Sequence, residues 1–154
     1  MYKSILVPLD GSQLAECALE HVKAIATGCQ VPEVVLLQVV EPIGRPGYLP
    51  AEVSEQAYRD AKETAEIQSR NYLSKVADGL KEEGIAARVD IAYGLPADEI
   101  LDYADRNGVD LIVMSTHGRA GITRWVFGSA AERVVRHSIN PVLIVTPRGC
   151  RVSK

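Results

Sequence analysis

The sequence predicts an α/β fold: one domain built on an open parallel sheet of five strands with helices on both faces. Three observations predict it. Five strand-length apolar runs, "SILVPL", "EVVLLQVV", "ARVDIAY", "DLIVM" and "PVLIV", recur from one end of the chain to the other. The segments between them carry apolar residues at helical spacing instead. Strands alternating with helices in this way make a parallel sheet covered on both sides. Three of the runs are continuously apolar rather than alternating, as strands buried on both faces are.

The elements follow in chain order. After "SILVPL", the residues Leu14, Ala18, Val22 and Ile25 recur every three to four positions and predict a first helix. The second strand, "EVVLLQVV", runs into "EPIGRPGYLP", a Pro/Gly-rich loop too short to separate domains. A long second helix is expected over about residues 51–83. Its apolar positions are Val53, Ala57, Ala61 and Ala65, then Tyr72, Val76 and Leu80. After the third strand, "ARVDIAY", a helix carries Ala97, Ile100, Leu101 and Ala104. Asp98 and Glu99 sit in its first turn, where the helix dipole favours acids. Asn107-Gly108 suits its C-terminus. A short last helix with Ala131, Val134 and Val135 follows "DLIVM". The final strand, "PVLIV", opens with Pro141 and is expected at a sheet edge, where proline is tolerated. Gly84, Gly94 and Gly108 fall where helices or strands should stop. The domain is expected to span residues 1–147, with a loose tail at 148–154.

Composition narrows the function classes. A chain of 154 residues fits one domain. It buries roughly two thirds of the surface its unfolded form exposes, and so needs no disulfide or metal staple. A net charge of −3 gives no electrostatic case for nucleic acid or an anionic membrane. Cys17, Cys29 and Cys150 are odd in number and lack C-x-x-C spacing, which predicts free thiols in a reducing compartment. No apolar run approaches the roughly 20 residues of a membrane span. The start, "MYKSILVPLD", turns polar too early for a signal peptide. A cytoplasmic protein is expected.

Chemistry concentrates at two strand ends. The first strand ends in "PLDGS" and the fourth in "MSTHGRAG". Open parallel sheets bind ligands beyond the carboxyl ends of their strands. Glycines there let a ligand approach the backbone. Downstream, Gly128-Ser129-Ala130-Ala131-Glu132 has the S-x-x-E form of a capping box, so the last helix should start at Ser129. Its free N–H groups would suit an anion, most naturally a phosphate chain. Neither G-x-x-x-x-G-K-[ST] nor G-x-G-x-x-G is present.

These residues carry a resemblance. Through "ILVPLDGS", "DLIVMSTHGR" and "GSAAERVVRHSINPVLIV", the chain is similar over essentially its whole length to the universal stress protein family. The family's nucleotide signature is Gly, two residues, Gly, nine residues, then Gly-Ser or Gly-Thr. Gly118, nine residues, and Gly128-Ser129 match it; Ser115 stands where the first glycine would. A positive φ at Ser115 would cost about 1–2 kcal/mol. In an ordinary strand conformation its hydroxyl could add a bond to the ligand instead.

The resemblance implies a Rossmann-like sheet in the order 3-2-1-4-5 and a crevice between strands one and four that binds ATP, ADP or AMP. Any Mg2+ would be held by the phosphates. Asp10 would face the adenine or ribose end, and Pro8 with Val39 or Val40 would line the base pocket. Met114, Ser115, His117 and Gly118 would hold the ribose and first phosphates. Gly128, Ser129 and Ala130 would meet the outer phosphates through backbone N–H groups. Arg119 and Arg124, inside the nine-residue loop, could neutralise phosphate charge. A homodimer through the last strand is implied as well.

Plainer readings stand beside these. Asp10-Gly11-Ser12-Gln13 is also turn-and-cap chemistry, and Ser129 also reads as a cap. His21 and His137 read as surface helix residues, and Trp125 and Phe127 as packing anchors. No acid or second histidine near His117 in sequence would orient it as a base. The function expected is therefore a regulatory adenine-nucleotide-binding module rather than an enzyme. A nucleotide-free dimeric scaffold is the alternative, and a hydrolase of the adenine-nucleotide fold a more distant one.

Overall fold

The computed structural model describes residues 1–42, 51–116 and 128–146, and for residues 51–54 the backbone alone. In chain order the elements are β1 (Ser4–Pro8), α1 (Gln13–Glu16), α2 (Ala18–Cys29), β2 (Glu33–Val40) and α3 (Ala51–Glu82). There follow β3 (Ala87–Tyr93), α4 (Pro96–Arg106), β4 (Leu111–Ser115), α5 (Ser129–His137) and β5 (Val142–Val145). The strands form one sheet in the order β3-β2-β1-β4-β5, with every neighbouring pair parallel. The expected fold class and order are both observed.

Side chains alternate across each strand, so a continuously apolar strand feeds two cores. Ile5, Val7, Val34, Leu36 and Val113 face one side, against Val22 of α2 and Leu73, Ala77 and Leu80 of α3. Leu6, Val35, Leu37, Ile112 and Met114 face the other, against Ala97, Ile100 and Ala104 of α4 and Ala131 and Val134 of α5. Each large side chain removed from water in this way contributes about 1.5–3 kcal/mol.

Several element details differ from expectation. The first helix is two helices: α1 ends at Glu16, and α2 begins after Cys17. The first half of α3 packs on little. Ala57 is exposed, Ala61 and Ala65 are half-buried, and the buried stripe is Ser69, Leu73, Ala77 and Leu80. Length explains this. A helix of 32 residues spans about 48 Å, whereas the eight residues of β2 span about 26 Å. The helix overshoots the sheet. Val135 is likewise exposed; Ala131 and Val134 make the buried stripe of α5.

The free-thiol expectation fails at Cys17, which is disulfide-bonded. Cys29 is a free, half-buried thiol.

The punctuation behaves as expected. Gly108, at φ +61, follows the Asn107 cap of α4, and Pro96 opens that helix, with Asp98 and Glu99 in its first turn. Asp110 ties the start of β1 to β4. Its Oδ2 accepts the backbone N–H groups of Lys3 at 2.7 Å and Ser4 at 3.0 Å. Those two bonds hold its carboxyl below the usual carboxylate range. A depressed folded-state pKa gives stability that is present above the unfolded pKa and lost as pH falls through the folded value. Wild type should therefore lose stability relative to Asp110→Asn as pH falls below about 4. Thermal unfolding of both proteins across that range checks this.

Candidate functional site

Beyond the carboxyl ends of β1, β2 and β4 lies a cleft of about 1230 Å³. It is where the strand order reverses, because β1 neighbours both β2 and β4. Nine of the residues expected to form a site line it. Pro8 and Asp10 come from the end of β1, Val39 and Val40 from β2, and Met114 and Ser115 from β4. Gly128, Ser129 and Ala130 come from the start of α5. His117, Gly118, Arg119, Arg124, Trp125 and Phe127 lie outside the described residues.

Beside β1, Asp10 organises a turn. Its Oδ1 accepts the Ser12 backbone N–H at 2.9 Å and the Ser12 hydroxyl at 2.6 Å. The Ser12 Oγ in turn accepts the N–H of Ala15 at 3.1 Å and caps α1. The turn-and-cap reading of Asp10 is thus correct, and the same turn sets the residue at the cleft. Gly11 takes φ +86, a conformation that costs an L-residue about 1–2 kcal/mol. Gly11→Ala should lower stability by about that amount, and Ser12→Ala by about 1 kcal/mol. Chemical denaturation with unchanged m-values would check both.

At the other end, the capping box does not form. Gly128 is the N-cap of α5 and Ser129 its first helical residue, with no side-chain cap bond. The Glu132 N–H bonds to the Gly128 carbonyl at 2.9 Å. The reason is a close approach. The Gly128 N–H donates to the Thr116 carbonyl at 3.0 Å, and a Cβ on Gly128 would stand 2.5 Å from that oxygen. Glycine is required here by space, since φ is an ordinary −56. The first-turn N–H groups of Ser129, Ala130 and Ala131 have no acceptor within the helix, and all three residues line the cleft. Arg133 pins this helix to α4 through a 2.7 Å ion pair with Asp98.

Ser115 resolves the question its identity raises. It lies in β4, in register with Val145, and among the described residues only Gln30 has positive φ without being glycine. Serine therefore costs nothing in backbone strain at this position.

The fold adds residues that strand-end reasoning misses. Gln38 of β2, Ser69 and Tyr72 of α3, Ile100 of α4, and Thr116 also line the cleft. The Tyr72 hydroxyl donates to Glu16 at 2.9 Å. Burial first, then the Glu16 carboxylate, push its phenol well above the usual range, so it stays a neutral donor. Ser69 and Tyr72 sit some 60 residues from Asp10 in sequence, roughly the distance over which helix periodicity says nothing of tertiary position. Only Thr116 had a signal, its place inside the "STHG" loop.

The walls are thus apolar near β2 and β4, with hydrogen-bonding groups at both ends. His21 and His137 are exposed on α2 and α5 and do not line the cleft. Among the described residues, no cluster of three or more His, Cys, Asp or Glu side chains could hold a metal. No helix among them is long and apolar enough to cross a membrane.

The family model of the universal stress protein family matches residues 1–146. The chain belongs to the universal stress protein family. A universal stress protein of Methanocaldococcus jannaschii, MJ0577, is 34% identical over 94% of this chain and 95% of its own. A solved structure of hypothetical protein MJ0577 superimposes with a TM-score of 0.82, covering 95% of this chain and 96% of that one. Two more distant universal stress proteins share the fold. One, in complex with cAMP, is 22% identical with a TM-score of 0.64, covering 94% and 97% of the two chains. The other, from Arabidopsis thaliana with AMP bound, is 17% identical with a TM-score of 0.65, covering 94% and 91%.

Proposed function

We propose that this universal stress protein binds an adenine nucleotide, ATP or its shorter forms, in the cleft between β1 and β4. On this reading it acts in the cytoplasm as a homodimeric regulatory binding module. The carrying observation is the convergence on one cleft of an apolar slot and a helix start. Pro8, Val39, Val40 and Met114 form the slot. The α5 start meets it with a glycine held against the Thr116 carbonyl and a first turn of open N–H groups. A base suits the slot and phosphates suit the amides. His117 and Gly118 are assigned to the ribose and first phosphates on the family resemblance, and Arg119 and Arg124 to phosphate charge from their place in the nine-residue loop. Mg2+ would be carried by the phosphates. The adenine nucleotides held by two fold neighbours support the ligand class.

Occupancy biases contacts with a protein partner; no turnover is needed. An assay with Mg-ATP should give no sustained hydrolysis, and many cycles per minute abolished by His117→Ala would overturn the non-enzyme reading. Dimerisation is proposed through β5, which ends the sheet beside an Ile139 that is 82% exposed. An apolar edge invites pairing with a second chain. Light scattering at micromolar concentration should give twice the chain mass, and the mass of one chain would refute the dimer.

Protein denatured as purified should release ATP, ADP or AMP. With ligand at 100 times its Kd, thermal unfolding should rise by the equivalent of about 2.7 kcal/mol. No release and no shift at millimolar ATP would favour a nucleotide-free scaffold.

A further inference from the structure

Among the described residues, two side-chain polar atoms are buried without a hydrogen-bond partner: Gln38 Oε1 and Thr116 Oγ1. Both residues line the nucleotide cleft. Folded proteins pair nearly all buried polar groups, so two exceptions in one cleft call for a cause.

Their positions are specific. Gln38 interrupts the apolar run of β2 on the face that carries Val34 and Leu36 against α3. On that side of the sheet, the buried α3 stripe of Leu80, Ala77 and Leu73 ends in the small polar Ser69, 5% exposed and also lining the cleft. Leucine at 38 and alanine at 69 would extend that core without any unpaired group. Thr116 is 6% exposed, and its own carbonyl accepts the Gly128 N–H that caps α5. Valine would fill the same volume there. Both positions therefore forgo a cheap apolar solution.

We infer that Gln38 and Thr116 are ligand-recognition residues, one at each end of the cleft. Gln38 hydrogen-bonds a polar edge of the base, and the Thr116 hydroxyl donates to the phosphate chain. This rests on the adenine-nucleotide reading and deepens it. Gln38 lies outside the glycine signature, and Thr116 is one of the two spacer residues whose identity the signature leaves open. Strand alternation puts Gln38 on the α3 side of β2 and Val39 on the opposite side, and both line the cleft at the end of the strand. Rotation about a side-chain torsion turns each group toward the ligand. The unpaired atom then gains its partner on binding.

The test uses Gln38→Leu and Thr116→Val, which remove the polar atoms, the second at constant shape. Affinities for adenosine, AMP and ATP are measured by calorimetry, and unfolding midpoints without ligand by scanning calorimetry. The inference expects opposite signs. Each variant should unfold at the same or a higher temperature, because an unpaired buried group has gone. Binding should weaken roughly three- to tenfold per lost hydrogen bond. Gln38→Leu should weaken all three ligands alike; Thr116→Val should weaken ATP and AMP and spare adenosine. Thr116→Ser should restore phosphate-dependent affinity. Wild-type affinity in either variant overturns the assignment of that residue. So does a parallel fall in stability and affinity, which marks a structural role. A wild-type protein that binds none of the three ligands removes the adenine-nucleotide reading, and this inference with it.

Discussion

Gly128→Ala should weaken ATP binding more than any other single methyl group added to the cleft. The new Cβ would stand 2.5 Å from the Thr116 carbonyl oxygen, a backbone atom that no rotamer change can move aside. Relief requires α5 to shift outward. That breaks the 3.0 Å bond from the Gly128 N–H and moves the N–H groups of Ser129 and Ala130 off the phosphate position. Overpacking of this kind costs about 1–3 kcal/mol. Charged to binding alone, it is a loss of roughly five- to hundredfold in affinity. The shift is local, because Arg133 still ties the helix to Asp98 of α4 at 2.7 Å and Ala131 and Val134 still face the core. The variant should therefore fold. Titration calorimetry with ATP and adenosine checks the point: ATP should lose far more than adenosine. Unchanged ATP affinity would show that the start of α5 does not hold phosphate.

Leu37→Ala should be the most destabilising of the cleft-floor truncations. Leu37 is 0% exposed, pairs with both Pro8 and Asp90 in the sheet, and packs with Ile100 and Met114 beneath the cleft. Removing a buried leucine side chain costs about 2–5 kcal/mol, the higher end when the surroundings cannot collapse. A β-sheet floor between two strands collapses poorly. Against a typical total of 5–15 kcal/mol, that is a large share. For a chain of this length it lowers the unfolding midpoint by roughly 4–20 °C. Leu37→Met conserves volume and should cost less than about 1.5 kcal/mol. Denaturant unfolding of both variants separates the volume effect from chemistry. Equal stability of the two would contradict the packing assigned to this residue.

The two predictions mark what the sequence makes legible and what it does not. Strand positions were readable because runs such as "EVVLLQVV" must be buried on both faces, and burial is written in composition. The glycine-rich strand ends were readable for the same local reason: Gly11 sits at φ +86 in the turn after β1. Errors arose where tertiary geometry decides. Ser129 has cap chemistry, yet Gly128 is the cap, because the backbone of residue 116 passes too close for any side chain. Ala57 has helical spacing, yet α3 outruns the sheet and leaves it exposed. Cys17 has no sequence neighbour to pair with, yet it is bonded. Gln38 and Ser69 could not be read as lining one cleft, since no local pattern links a strand residue to a helix residue about thirty positions away. The site's floor and its glycines at 11 and 128 were thus visible beforehand, and its polar side walls were not.

A crystal structure grown with Mg-ATP tests the central claim most directly. The account predicts the base against Pro8, Val39 and Val40, and the phosphates on the N–H groups of Ser129 and Ala130. A nucleotide bound elsewhere, or that volume closed by the protein's own side chains at saturating ATP, would contradict it.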